Sequence, residues 1–163
     1  VIGKVRVIYV CELAKRVVSR VNSGQPAPVL IGAEQPCYVI TDPERFTHVL
    51  RHLLDNAQQA TPFDGFVRVR FEPRQAMCAI VIEDSGCGMD PEFVRHRLFK
   101  PFDTTKGNAG MGIGMFESRE YIRSLGGDIH VTSAPRKGTS VTLMIPRQQN
   151  EHDRSDIAAT LGY

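Results

Sequence analysis

The 163-residue chain has no tryptophan, only four cysteines and a formal net charge of just +2. A balance so near neutrality excludes a polyanion-binding surface built on bulk charge, so no nucleic-acid partner is expected. No apolar run approaches the ~18 residues of a membrane-spanning helix. No basic, apolar and small-residue succession marks a secretory leader. The cysteines, at 11, 37, 78 and 87, contain no Cys-x-x-Cys pair. That spacing fits reduced cytosolic thiols better than a zinc site or a disulfide framework. Internal repeats are also lacking. With 42% hydrophobic residues there is material for one well-cored domain.

What is present concentrates between residues 84 and 114. Asp84-Ser85-Gly86-Cys87-Gly88-Met89 directly follows the apolar run Ala79 to Ile82. A carboxylate just past a strand end only accepts hydrogen bonds, so it can hold an exocyclic amine such as adenine N6 and would repel guanine O6. ATP is therefore expected over GTP. Gly86 and Gly88 allow positive φ and remove Cβ atoms that would keep a flat ring from the backbone. Alone, Asp-Ser-Gly reads first as a strand-ending turn rather than a ligand site. Gly110-Met111-Gly112-Ile113-Gly114 precedes a helical pattern from Met115 to Leu125, which Gly126-Gly127 stops. Bare amides at a helix N-terminus favour a polyphosphate. The turn is not a Walker loop, because no Gly-Lys-Ser/Thr follows. Nor does a strand lead directly into it, as a dinucleotide fold requires. Four glycines between Gly107 and Gly114 predict a mobile lid.

A third element lies upstream. Asp42 can cap a helix with Pro43 in its first turn, and Phe46, Val49, Leu50, Leu53, Leu54, Ala57 and Ala60 form one apolar stripe. Asn56 falls on the stripe's edge, one turn after His52. Its carboxamide oxygen can serve as a single protein ligand for Mg²⁺ whose other positions are phosphate and water. An exposed Asn that merely tolerates the helix fits the same spacing.

The remaining pattern gives the fold class. A strand is predicted over Val5 to Tyr9, a helix over Glu12 to Val21, and a strand over Cys37 to Ile40. Phe66 to Phe71 and Met77 to Glu83 read as a hairpin joined by Glu72 to Ala76, aiming Asp84 at the pocket. Asp128 to Ser133 and Ser140 to Pro146 read as a second hairpin. The order predicts an α/β two-layer sandwich, a mixed sheet with helices on one face. Residues 1–146 form the domain and 147–163 a polar C-terminal tail. Because residue 1 is Val, the sequence reads as part of a longer protein. Cys87 reads as a small buried thiol, and Met111 and Met115 as packing residues of the lid.

These segments together resemble the catalytic domain of sensor histidine kinases. Leu53 to Thr61 looks like their N box, Asp84 to Gly88 like the first glycine box, Phe99-Lys100-Pro101-Phe102 like the F box and Gly110 to Gly114 like the second glycine box. Gly138-Thr139-Ser140 looks like the last short box. Five motifs in order across residues 5–146 are far more specific than any one. The resemblance implies the Bergerat-type nucleotide-binding fold shared with gyrase-type topoisomerases, heat-shock chaperones and mismatch-repair ATPases. Within the kinases, Thr104-Thr105-Lys106 and Gly110 to Arg119 look most like those accompanying exosortase (PEP-CTERM) and exopolysaccharide systems.

The resemblance also implies roles. Asn56 would bind Mg²⁺, Asp84 the adenine amine, and Gly86 and Gly88 would line the base. Lys106 and the amides of Gly110, Gly112 and Gly114 would meet the phosphates. Thr139 would support Asp84 through a hydroxyl or a water. Ala60, Met89, Thr104, Thr105, Met111 and Ile113 complete the implied nucleotide set, while Phe99 and Phe102 anchor the lid and face a partner helix. Catalysis would fall to Asn56, Lys106 and His52. Many relatives have Asn at the position of His52, and hydrolytic ones a Glu; an imidazole there can ligate a metal or serve as a base, although Mg²⁺ prefers oxygen.

The implied reaction is transfer of the γ-phosphoryl of ATP·Mg²⁺ to a histidine on the protein's own dimerisation and acceptor domain, then signalling through a response regulator. The implied setting is the cytoplasm, with any membrane anchor elsewhere in the full protein and the fragment monomeric. His48, His52, His96 and His130 lack the acidic neighbour of an acceptor histidine, and His152-Asp153 sits in the polar tail. An ATP-hydrolysing switch and a nucleotide-binding module without transfer are the alternatives.

Overall fold

The computed structural model describes residues 5–21, 26–32, 37–101 and 114–148. The described residues form a five-stranded mixed sheet and a separate two-stranded ribbon. The ribbon pairs β1 (Arg6–Tyr9) with β3 (Tyr38–Thr41) in antiparallel register. The main sheet has the order β2-β4-β5-β7-β6, comprising β2 (Pro28–Ile31), β4 (Val67–Arg74), β5 (Met77–Asp84), β6 (Asp128–Ala134) and β7 (Gly138–Pro146). Only β2 runs parallel to its neighbour; β4, β5, β7 and β6 are successively antiparallel.

β5 is buried on both faces from Cys78 to Ile82, and the alternation of its side chains decides which row joins the core. Cys78, Ile80 and Ile82 join the core, and Asp84 continues the same row to its end. The helices lie over that face. α2 (Pro43–Ala60) crosses β4 and β5 and packs on α1 (Val10–Val21), while α4 (Met115–Ser124) lies against β6 and β7. The short α3 (Pro91–His96) borders β6. This is the expected two-layer sandwich with helices on one face.

α2 begins as the sequence predicts. Asp42 Oδ1 accepts from Glu44 N at 3.0 Å, Pro43 occupies the first turn, and the stripe Phe46, Val49, Leu50, Leu53, Leu54 and Ala57 is buried. Tyr121 of α4 braces this start: its hydroxyl lies 2.6 Å from Thr41 Oγ1 and accepts from Asp42 N at 3.0 Å. Both helices thus share one buried polar joint.

Some expectations are corrected. β2 has no counterpart in the sequence reading, because four residues with Val29 and Ile31 exposed give no inward and outward contrast to detect. The β4–β5 hairpin turns at residues 75–76, so Glu72 and Pro73 lie within β4. There Glu72 pairs with both Arg70 and Arg74. Cys37 and Cys78, expected as reduced thiols, are joined as a disulfide, Cα atoms 6.4 Å apart. A separation of 41 residues hid this: tertiary packing, not local spacing, brings the end of the β3 approach beneath β5. Cysteine spacing therefore carries no argument about compartment. Within 147–163, Arg147 N and Gln148 N donate to Ala76 O and Tyr38 O at 2.8 Å each.

Candidate functional site

Residues 84–89 leave the end of β5 and are held by backbone on both sides. Cys87 N donates to Ala60 O at 3.0 Å, at the last turn of α2. Cys87 O accepts from Arg136 N at 2.7 Å, in the β6–β7 turn. With its backbone used in both directions, the Cys87 side chain turns outward and is exposed, not buried as expected.

The glycines are required by this closure. A Cβ on Gly86 would stand 2.4 Å from Ala60 O, and one on Gly88 1.9 Å from Ala134 O, where Gly88 also has φ +69°. These glycines let α2, the glycine box and the second hairpin meet backbone to backbone.

Asp84 is 8% exposed. Its Oδ1 accepts from Gly86 N at 2.8 Å, and the Thr139 backbone amide also donates to the carboxylate. Burial nevertheless outweighs both bonds and pushes the carboxyl above its ordinary 3.8. Asp84 is the register partner of Thr139, and Thr139 of Ser133, so the three side chains form one row on the helix-covered face. Ser133 was missed by sequence reasoning. Its Oγ accepts from Met89 N at 2.8 Å, lies 3.1 Å from Gly138 O and 2.7 Å from Thr139 Oγ1.

Asn56 and His52 lie half-buried, one turn apart on α2. Asn56 Nδ2 is 3.2 Å from His52 Nε2. Burial holds the imidazole below its ordinary 6.5, against the opposing charges of Asp55 and Glu117. A neutral Nε2 accepts from the amide nitrogen, which leaves the carboxamide oxygen facing away from the ring. That hard oxygen suits Mg²⁺. Among the described residues no group of three His, Cys, Asp or Glu could hold a metal alone. A single carboxamide oxygen fits an ion whose other positions are phosphate oxygens and water.

Gly114 caps α4, and its amide donates to Glu117 Oε2 at 2.9 Å. A phosphate at that amide would have to displace a carboxylate. Phe99, half-buried, carries the Arg119 guanidinium 4.4 Å over its ring, and Arg119 Nε is 3.1 Å from Asp128 Oδ1. Met115 packs against the core. Gln58 was also missed: its Nε2 donates to Val21 O and Pro26 O at 3.1 and 3.2 Å, tying α2 to the end of α1. Phe102, Thr104, Thr105, Lys106, Gly110, Met111, Gly112 and Ile113 lie outside the described residues, as do His152 and the predicted lid before Gly114.

Comparison with known proteins agrees with this geometry. Residues 41–149 match the family described as histidine kinase-, DNA gyrase B-, and HSP90-like ATPase. The chain is 32% identical over 117 residues to the sensor protein TorS of Escherichia coli strain K12, covering 71% of this chain and 13% of that protein. It is 39% identical over 106 residues to the signal transduction histidine-protein kinase AtoS of the same strain, covering 64% of this chain and 17% of that protein. The chain thus spans less than a fifth of either relative. Among solved structures, a mycobacterial sensor histidine kinase, MprB, superposes with a TM-score of 0.75 at 23% identity, covering 91% of this chain and 100% of that one. The nucleotide-free catalytic domain of the histidine kinase ThkA gives 0.76 at 23% identity, covering 90% and 99%. At such identity the likeness speaks to the fold.

Proposed function

The chain belongs to the histidine kinase-, DNA gyrase B-, and HSP90-like ATPase family, and we propose that it is the ATP-binding catalytic domain of a sensor histidine kinase, donating the γ-phosphoryl group to a histidine on a separate dimerisation and acceptor domain. One observation carries the reading. The glycine box is clamped between the last turn of α2, which bears Asn56, and the hairpin bearing Thr139, with Asp84 buried at the junction.

In this reading Asp84 accepts from the adenine amine, supported by Thr139, with Gly86, Gly88, Met89 and Ala60 around the base. Asn56 offers its oxygen to Mg²⁺ and His52 holds the amide nitrogen. The ion, when bound, neutralises charge on the phosphates. Lys106 and the amides of Gly110 and Gly112 meet the phosphates, the Gly114 amide joins them only by exchanging the Glu117 carboxylate for a phosphate oxygen, and Thr104, Thr105, Met111 and Ile113 border them. Phe99 and Phe102 face the acceptor helix. Because the nucleophile is an external imidazole, the domain's part is placement and charge stabilisation and needs no base of its own.

The finer proposals follow the relatives. The acceptor domain and a response regulator are the partners, and the cytoplasm is the setting. No described helix is long and apolar enough to cross a membrane. The kinship with exosortase-type kinases rests on the sequence resemblance at residues 104–106 and 110–119. Position 52 carries no water-activating Glu, and the Nε2 of its imidazole is taken up by the Asn56 amide nitrogen, which favours transfer over hydrolysis.

The test combines the domain with γ-labelled ATP, Mg²⁺ and a histidine-bearing acceptor domain. Acid-labile label on the acceptor histidine supports the proposal. Steady phosphate release with an unlabelled acceptor would replace it with the hydrolase reading.

A further inference from the structure

Ser133 makes three contacts with one hydroxyl, and their chemistry fixes which way each proton points. Met89 N, 2.8 Å away, can only donate; Gly138 O, 3.1 Å away, can only accept. Spending the single Ser133 proton on Gly138 O is the one arrangement in which all three contacts are hydrogen bonds. The remaining contact, 2.7 Å to Thr139 Oγ1, is a hydrogen bond only if Thr139 donates it. Thr139 then has no proton left for anything else, and its oxygen presents lone pairs alone.

We infer that Ser133 is a positioning residue for base specificity: by taking the Thr139 proton, it makes Thr139 an acceptor-only group beside the acceptor-only carboxylate of Asp84. The two stand side by side in register on the inner face. An edge with an exocyclic amine can donate to this pair. A 6-oxo purine sets its O6 against this pair and offers only the single N1–H in place of the two amine protons, and Thr139 could not turn its proton toward O6 without losing the Ser133 bond. Ser133 also holds Met89 N, so one side chain couples the shape of the glycine box to the polarity of its reader. The inference deepens the proposed function and rests on its assignment of Asp84 and Thr139 to the base.

The test is titration calorimetry of wild-type protein, Ser133→Ala and Ser133→Thr with non-hydrolysable analogues of ATP and inosine triphosphate, the latter bearing oxygen in place of the 6-amine. Ser133→Ala frees the Thr139 proton and lowers the ATP-to-inosine affinity ratio by about three- to tenfold, the worth of one hydrogen bond. Ser133→Thr keeps a hydroxyl and restores the wild-type ratio. A general loosening of the fold would weaken both ligands alike and leave the ratio unchanged. Should Ser133→Ala not fold, Ser133→Cys, similar in size and weak in hydrogen bonding, is expected to show the same fall. An unchanged or raised ratio in a folded variant, with wild type binding ATP, overturns this inference and spares the proposed function. Wild type that binds neither nucleotide overturns both.

Discussion

Asp84 and Thr139 face each other across β5 and β7, and the Thr139 amide donates to the Asp84 carboxylate. The acid that would read the base is thus placed by sheet register rather than by a loop. A one-residue slip of β7 would turn Thr139 to the solvent face and remove that support.

Replacing Asp84 with Asn keeps the shape and loses the charged acceptor. ATP binding is expected to weaken by about 1.5 to 3 kcal/mol, the value of a hydrogen bond to a charged group. Calorimetry finding equal affinity would remove Asp84 from the site.

The same carboxyl gives a pH signature. Burial lifts it above 3.8 in the folded state. Nucleotide affinity, which needs the carboxylate, is therefore expected to be full near neutrality and to fall on acidification with a midpoint above that value. Asp84→Asn should lack the step. For stability the sign is opposite: this group's contribution is fully present below the unfolded value and is lost as pH rises through the raised folded one. A binding profile with a midpoint at or below 3.8 would contradict the burial argument.

On α2, Asn56→Ala is expected to leave the melting temperature nearly unchanged while abolishing the gain in ATP affinity that Mg²⁺ brings. His52→Leu removes the acceptor for the Asn56 amide nitrogen, 3.2 Å away. It should shrink that gain, and His52→Gln should retain most of it. Full Mg²⁺ enhancement in Asn56→Ala would end the metal assignment.

Gly88 combines φ +69° with a carbonyl 1.9 Å from where a Cβ would stand. Gly88→Ala is expected to cost at least ~2 kcal/mol in denaturant unfolding, because strain and a backbone clash act together. A cost below about 0.5 kcal/mol, the size of a neutral surface change, would mean that the closure is looser than drawn.

Tyr121→Phe strips one hydroxyl from the joint between α2 and α4 and leaves Thr41 Oγ1 and Asp42 N buried without it. Its expected cost is about 1 to 3 kcal/mol. Thermal melting that does not shift would show that another partner takes over.

Much of this architecture is legible in the sequence because it is local. The α2 stripe repeats at helical spacing, Asp42 and Pro43 announce its start, and the alternation of Val67, Val69 and Phe71 fixes an inward face. The glycine motifs mark where backbones meet, though not which ones; that Gly86 meets Ala60 and Gly88 meets Ala134 needs three dimensions. Ser133 was invisible because a serine near a strand end is ordinary, and only cross-strand pairing brings it to Thr139. Tyr121 and Gln58 are likewise read only once two helices are packed. The Cys37–Cys78 pair joins segments 41 residues apart, beyond any spacing rule. Glu117, three residues past the glycine-rich turn, reads as a routine first-turn acid, yet it occupies the Gly114 amide.

The central claim is an adenine-reading, Mg²⁺-assisted nucleotide pocket. Its most direct test is titration calorimetry of the protein with a non-hydrolysable ATP analogue, with and without Mg²⁺, beside GTP. The account predicts binding of the adenine nucleotide, strengthened by Mg²⁺, and weak or no binding of GTP. No binding at millimolar ATP analogue, or equal binding of GTP, would contradict it.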